Sequence, residues 1–321
     1  MTESRFLADL HARFGAPRDQ IVELIRRVTG SDVAELRRIV RGYDNEVYRV
    51  DLETRVVVFV RIRRDGYGFD NEPWAMDQAR DHGVPVPTII GLDRVEGNGG
   101  DRPAMVITQA PGRQLKDLLP LLDPADRGSA LTDLGRVLAR LHQVRTPGVW
   151  RPGDDGTWPD PVEGRRGYIR DRRAEHDQLV AAGLTAAEIE RTLEFLDLSP
   201  NPPEDDFVLC HGDVGPEHVF VDADLRVSSL IDWGMWHGGS VLGELAYLST
   251  TFSPDDFAVV LEGHGYDPTD DDLRRRIALS VASLQIGHIA HHVNINDPEG
   301  IEHNVVSLRR ALADLDANPG R

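Results

Sequence analysis

Residues 208–222 read VLCHGDVGPEHVFVD, and after a short gap residues 229–234 read SLIDWG. An apolar run, FVLC, enters a turn at Gly212, and a second, VFVD, leads through Asp222–Asp224 into a third, RVSSLID. The alternation and the Asp-rich turn predict a strand, a loop and a hairpin. Asp213 leaves the first strand, Asp232 ends the last and His218 lies in the loop between, so all three can share one rim. Two carboxylates and an imidazole on a rim can hold a divalent cation and take a proton from a hydroxyl. A single Asp at a turn is ordinarily a cap. The spacing of this set around a hairpin is what argues for chemistry.

Working outward, two helical patterns open the chain at 3–14 and 17–28, separated by Gly15 and Pro17. Strand-like runs follow: ELRRIV (35–40), EVYRVDL (46–52) and RVVVFVRI (55–62). A helix is expected over 70–82, then strands over 84–95 and 103–110. The order β-β-β-α-β-β gives an antiparallel sheet with one helix, ending near Pro111–Arg113. Beyond it the pattern turns helical over 123–144, becomes irregular over 146–168, and is helical again over 171–197. Helices are expected after the opening stretch at 241–252, 254–264, 270–292 and 300–316. The expectation is an α+β chain of two lobes: 1–110, with two leading helices, a five-stranded sheet and one helix, and 111–321, mostly helical.

Composition narrows the classes. A formal charge of −18 over 321 residues argues against a nucleic-acid binder, which needs a basic face. It suits a cationic small molecule, and equally serves solubility alone. No apolar run is long enough to span a membrane, and the N-terminus lacks the apolar core of a secretory signal. One cysteine, Cys210, leaves no internal disulfide and fits a reducing cytoplasm. Of the 36 basic residues only Lys116 is a lysine, so a buried cation elsewhere must be arginine.

The opening stretch resembles the H-G-D-x4-N loop and the following I-D-W segment of the aminoglycoside and macrolide phosphotransferases. These are antibiotic kinases with a bilobal protein-kinase-like fold, the small sheet lobe binding nucleotide and the helical lobe carrying the chemistry. GYDNEVYRV (42–50), VFVRI (58–62), GVPVP (83–87), ITQAPG (107–112) and LGRVLARLH (134–142) match in order. WGMWHGGSVLGELA (233–246) matches W-G-x5-G-D-P-x2-D-L-A in length, with Ser240 and Glu244 where aspartates are common.

The resemblance implies transfer of the γ-phosphate of ATP or GTP to a hydroxyl of a small molecule, an antibiotic ahead of a metabolite. It implies Asp213 as the catalytic base and Mg2+ on Asp232 and on His218, which stands where an Asn is usual. An imidazole there, as in macrolide phosphotransferases, opens the site to Mn2+ and to loss of activity as it protonates. His211 is expected to brace the loop. For the nucleotide, the resemblance implies Arg61 in place of the third-strand lysine, Glu72 as its partner, and the hinge residues Thr108, Gln109 and Ala110. A Gly-rich G-x-G-x-x-G loop is missing.

Acceptor-lining candidates are Asp154, Asp155, Trp158, Asp160 and Glu163 in the irregular segment. Trp236, His237, Glu244, His288, His291 and His292 are others. Carboxylates would hold amines and Trp faces a cation or a sugar ring. His288 and His292 share a helical face, but no H-E-x-x-H carboxylate accompanies them, which argues against zinc. A non-catalytic kinase-like binding protein and a metal-dependent hydrolase remain as alternatives. Retention of Asp213, Asp232 and Glu72 argues against the first, and the shortage of ligands for a two-metal site against the second.

Overall fold

The computed structural model describes residues 15–317 apart from 41–44, 65–68, 70, 98–99, 154 and 199–206. The expected first helix at 3–14, the first three residues of the GYDNEVYRV stretch and Asp154 therefore lie outside the described residues. The chain divides into two compact units, residues 1–77 with 86–111, and residues 78–85 with 112–321.

In the first unit, α1 (Arg18–Thr29) carries Ile21, Leu24 and Ile25 on one face, and all three are fully buried. They pack on a sheet of β1 (Val33–Ile39), β2 (Asn45–Leu52) and β3 (Val57–Arg63). After α2 (Glu72–Asp81) the sheet is completed by β4 (Ile89–Gly97) and β5 (Gly100–Thr108). The order is β1-β2-β3-β5-β4 and every pairing is antiparallel. The sheet face under α1 is built from Tyr48, Val50, Val58, Val60, Ile62 and Val106. Strand β4 starts later than the sequence suggests, because Pro85 and Pro87 keep 84–88 out of the ladder.

The period-two alternation of β3 sends Arg61 to the face opposite Val60 and Ile62. There its guanidinium is buried and forked onto Glu72 in the first turn of α2, with Nη1–Oε2 2.6 Å and Nη2–Oε1 3.3 Å. The Phe69 ring lies 5.3 Å from the guanidinium carbon. On β2, the fully buried Glu46 accepts from Arg102, from the Tyr48 hydroxyl at 2.8 Å and from the Ala16 amide at 3.0 Å. Burial opposes its charge, yet these donors hold its carboxyl below the usual range.

The second unit begins with β6 (Arg113–Gln114), α3 (Leu115–Leu118) and α4 (Pro124–Leu141). Then come α5 (Pro161–Ala174), α6 (His176–Ala181) and α7 (Ala186–Leu198). Strands β7 (Val208–Cys210), β8 (Val219–Val221), β9 (Val227–Leu230) and β10 (His237–Gly239) form two small sheets, β10-β7 and β6-β8-β9. The chain finishes with α8 (Val241–Thr251), α9 (Pro254–His264), α10 (Asp271–Asn294) and α11 (Pro298–Ala317).

Helix α10 is apolar on more than one side and is the axis of this unit. Ala278, Ala282, Ile286 and Ile289 meet Leu179, Ile189, Phe195, Leu308 and Leu312. Leu273, Ile277 and Val281 meet Leu245 and Leu261. Helices α4 and α9 cross closely because a Cβ on Gly135 would lie 2.3 Å from the Val260 carbonyl, and one on Gly263 2.3 Å from that of Thr132.

The largest departure from the sequence reading is α5, which begins at 161 inside the segment expected to be irregular. Asp160 caps it by accepting from Glu163 N–H at 2.9 Å, with Pro161 at the first position. No residue of α5 is buried, so it offers no apolar periodicity to read. Among the described residues, no helix is long and apolar enough to cross a membrane.

Candidate active site

The loop after β7 is built around a residue that must be glycine. Gly212 has φ 79°, and a Cβ there would lie 2.2 Å from the Met235 carbonyl oxygen. His211 before it is fully buried; its Nε2 donates to the Ile231 carbonyl at 3.0 Å, and its Nδ1 accepts from the Asp213 amide at 3.3 Å. Burial pushes this imidazole down to about 4, so it is the neutral ring these two bonds require. His211 therefore ties the end of β9 to the loop as a brace.

Asp213, His218 and Asp232 converge, with one ligating atom from each lying within 4.8 Å of the others. His218 Nδ1 is 2.7 Å from the Asp213 carbonyl oxygen and 3.5 Å from Asp213 Oδ2. A carbonyl only accepts, so Nδ1 carries the proton and Nε2 of the neutral ring keeps its lone pair. That nitrogen is 3.9 Å from Asp232 Oδ2. Asp232 sits at φ 65°, a left-handed conformation that Asp tolerates better than most residues, and its carboxylate is 41% exposed. A lone pair on nitrogen beside a half-exposed carboxylate fits a divalent cation that keeps water or phosphate oxygens as its remaining ligands.

The charges push one another. Burial drives Asp213 up to about 6 with help from Asp232, against the pull of His218 and of a hydrogen bond from the Tyr247 hydroxyl to Oδ1. Burial opposes the His218 cation, but the Asp213 and Asp232 carboxylates outweigh it and raise its pKa. A carboxylate shifted toward neutral pH in a polar cluster is the usual mark of a working group.

The loop is held from beneath by Glu244, in the first turn of α8. Its carboxylate accepts from the His211 amide at 2.6 Å and the Gly212 amide at 3.2 Å, and it is fully buried. The expectation that Glu244 lines an acceptor pocket is corrected here: the side chain has no free surface and serves the backbone. His142 lies behind it, with Nε2 4.0 Å from Glu244 Oε2 and Nδ1 2.8 Å from His264 Nε2. Two imidazoles sharing a hydrogen bond need one donor and one acceptor, so they cannot both be charged.

Burial pushes His264 down to about 4, helped by His142, and His288 down to about 4, helped by His292 and His291. With His211, three imidazoles stay neutral in the folded chain but titrate near 6.5 once unfolded. The unfolded chain then binds more protons, and stability falls as pH drops below 6.5 and levels off near 4. Each ring contributes a slope of up to about 1.4 kcal/mol per pH unit. Asp213, shifted upward, opposes one of the three. Melting temperatures measured from pH 7.5 to 4.5 should fall throughout the acid half of that range, and His264→Phe should flatten the decline.

The remaining candidates scatter. Trp236 is fully buried, with the Arg151 guanidinium 5.6 Å from its ring, so its assignment to the acceptor surface is also corrected. Trp158 meets Trp236 edge-on at 6.3 Å and is half-buried. Asp155 is exposed and accepts from Thr157 N–H, Asp160 caps α5, and Glu163 pairs with Arg166 on the surface. His292 bonds Asp297 at 2.9 Å, and His291 stands edge-on to His292. His237 is half-buried with Nδ1 3.0 Å from the Met235 carbonyl. In the first unit, Thr108 closes β5 by accepting from Thr88 N–H at 2.9 Å, Gln109 is exposed and Ala110 buried.

Two residues near the loop escaped the sequence reading. Tyr247 touches Asp213, and His288 stands edge-on to it at 5.9 Å. Trp150 is 45% exposed at φ 62°, with Tyr168 and His237 each 5.9 Å from its ring. A bulky residue at positive φ is held against its preference. Only the helical step from Glu244 to Tyr247 could have signalled the first; nothing local signals the second.

Known proteins resemble this chain in sequence and in fold. The chain is 28% identical over 194 residues to an aminoglycoside 3'-phosphotransferase of Streptomyces ribosidificus, covering 59% of this chain and 68% of that protein. It is 30% identical over 161 residues to one of Streptomyces fradiae, covering 48% and 53%. Among solved structures, a thermostable mutant of aminoglycoside phosphotransferase APH(4)-Ia in ternary complex with ADP and hygromycin B superposes with a TM-score of 0.69. The match has 16% identity and covers 94% of this chain and all of that one. The GDP and kanamycin complex of APH(2")-IIIa matches with a TM-score of 0.64 at 14% identity, over 92% and 98%. At such identities the likeness speaks for the fold, which is the bilobal protein-kinase-like one. A sequence profile of the phosphotransferase enzyme family matches residues 35–279, and the chain belongs to that family.

Proposed function

We propose that the protein transfers the γ-phosphate of ATP or GTP to a hydroxyl of an antibiotic, with aminoglycosides as the first acceptor class. The observation that carries this reading is the convergence of Asp213, His218 and Asp232 in one cluster. Asp213 orients the acceptor hydroxyl and receives its proton, and a pKa near 6 brings it closer to the working pH than an ordinary carboxylate. His218 Nε2 and Asp232 would hold Mg2+ or Mn2+, which when bound supplies positive charge to the phosphates of the nucleotide. Arg61, fixed by Glu72, presents a guanidinium fork suited to phosphate oxygens, in the role that a lysine usually fills. In this reading the sheet unit, 1–110, binds nucleotide, and 111–321 carries the chemistry and the acceptor.

The names of the curated relatives support the aminoglycoside class, and the net charge of −18 favours cationic acceptors. His218 in place of the usual amide supports macrolides as the second class. The test is a transfer assay of ATP and GTP with Mg2+ against both antibiotic classes, the phosphate being located by NMR. Phosphorylated aminoglycoside is the expected product. Transfer to macrolides alone would move the acceptor class, and failure to bind either nucleotide would sink the kinase reading. His218→Asn should favour Mg2+ over Mn2+ and shift the acid limb of the activity profile, leaving only the loss that follows protonation of Asp213. An unchanged metal preference and pH profile would remove His218 from the ligand set.

A further inference from the structure

Tyr247 lies on α8, one turn beyond Glu244, and its hydroxyl donates to Asp213 Oδ1. The other carboxylate oxygen, Oδ2, is the one 3.5 Å from His218 Nδ1. The ring is steadied by His288 of α10, which meets it edge-on at 83°. A hydroxyl donating to this carboxylate is the contact that an acceptor makes when a phosphoryl group is about to be transferred. We propose that Tyr247 occupies the acceptor hydroxyl's place at Asp213 while no acceptor is bound, and so keeps water from being activated there. This rests on the phosphotransferase reading and adds its control: the triphosphate is protected from hydrolysis until an acceptor displaces the phenol.

The suppressed reaction is explicit. A water oxygen would form a bond to the γ-phosphorus, the bridging bond to the nucleoside diphosphate would break, and the water proton would pass to Asp213. The products would be inorganic phosphate and nucleoside diphosphate. Replacing the phenol by phenyl opens space on the order of one water beside a polar oxygen, where a water is at home.

The test is phosphate release from ATP and Mg2+ without acceptor. Tyr247→Phe should release phosphate at least about ten-fold faster than the wild type, and Asp213→Asn added to it should abolish the gain. Tyr247→Leu should move the same way. A merely structural tyrosine would lower hydrolysis and transfer together, so an unchanged or lower acceptor-free rate alongside intact transfer overturns the proposal and leaves the kinase reading standing. No turnover of nucleotide by either protein, with or without acceptor, overturns the kinase reading and this proposal with it.

Discussion

Asp213→Asn should lose about 10²- to 10⁴-fold in phosphate transfer, the range that a positioned general base contributes. The amide oxygen can still accept from Tyr247, so the loop keeps its shape, and nucleotide affinity should hold. What disappears is the ability to take a proton. The same substitution should not destabilise the protein. Asp213 titrates near 6 when folded and near 3.8 when unfolded, so the folded chain binds more protons between those values. The stability this brings is present below 3.8 and lost as pH rises through 6. By pH 8 the ionised carboxylate costs about 1–3 kcal/mol, which asparagine avoids. Activity measured by phosphate transfer and stability measured by thermal melting should therefore move in opposite directions at pH 8. Near-normal transfer by Asp213→Asn would remove the residue from the role of base.

Glu244→Ala is the converse case, a large loss of stability whose effect on chemistry is indirect. The carboxylate accepts from two buried amides, those of His211 and Gly212, and alanine offers them no acceptor. Losing these charge-assisted bonds should cost about 3–5 kcal/mol. For a unit of this size that is a fall of roughly 5–15 °C in melting temperature. Gly212 occupies a backbone conformation that its neighbours would not tolerate, so the loop cannot easily find another arrangement. Transfer should fall with it, and unlike Asp213→Asn it should recover partly on cooling, where the braced loop is repopulated. A melting temperature unchanged in Glu244→Ala would show that the two amides find other acceptors.

What could be read from the sequence follows from how local each signal is. The period of two in β2 sorts buried from unburied positions without any tertiary information, whereas the continuous apolar run of β3 does not, and Arg61 there was read from the resemblance. The apolar stripe of α4 did the same sorting for the helical unit, whereas α10, apolar on more than one side, reads only as central. The first part of helix α5 was missed because none of its residues is fully buried, only Tyr168 and Ile169 packing in part against the core, which left its cap and Pro161 as the clearest marks. Glu244 and Trp236 were assigned to an open surface because a carboxylate and an indole suggest ligand contacts. Whether either reaches solvent depends on β7, β10 and α8 folding over it, which no short window encodes. Tyr247 was invisible for the same reason: its partner lies 34 residues earlier.

Helix α1 closes one face of the five-stranded sheet with Ile21, Leu24 and Ile25, and Glu46 fastens the chain entering it through the Ala16 amide. The sheet is thereby left with a single working side. Strand β3 becomes two interleaved texts, one in Val58, Val60 and Ile62 that evolution can rewrite only among apolar residues of similar volume, the other at Arg61, answerable to the phosphate it is proposed to meet. Selection for a new nucleotide preference can act on the second text while the first keeps the sheet folded, and a slip of one residue would exchange them and lose both.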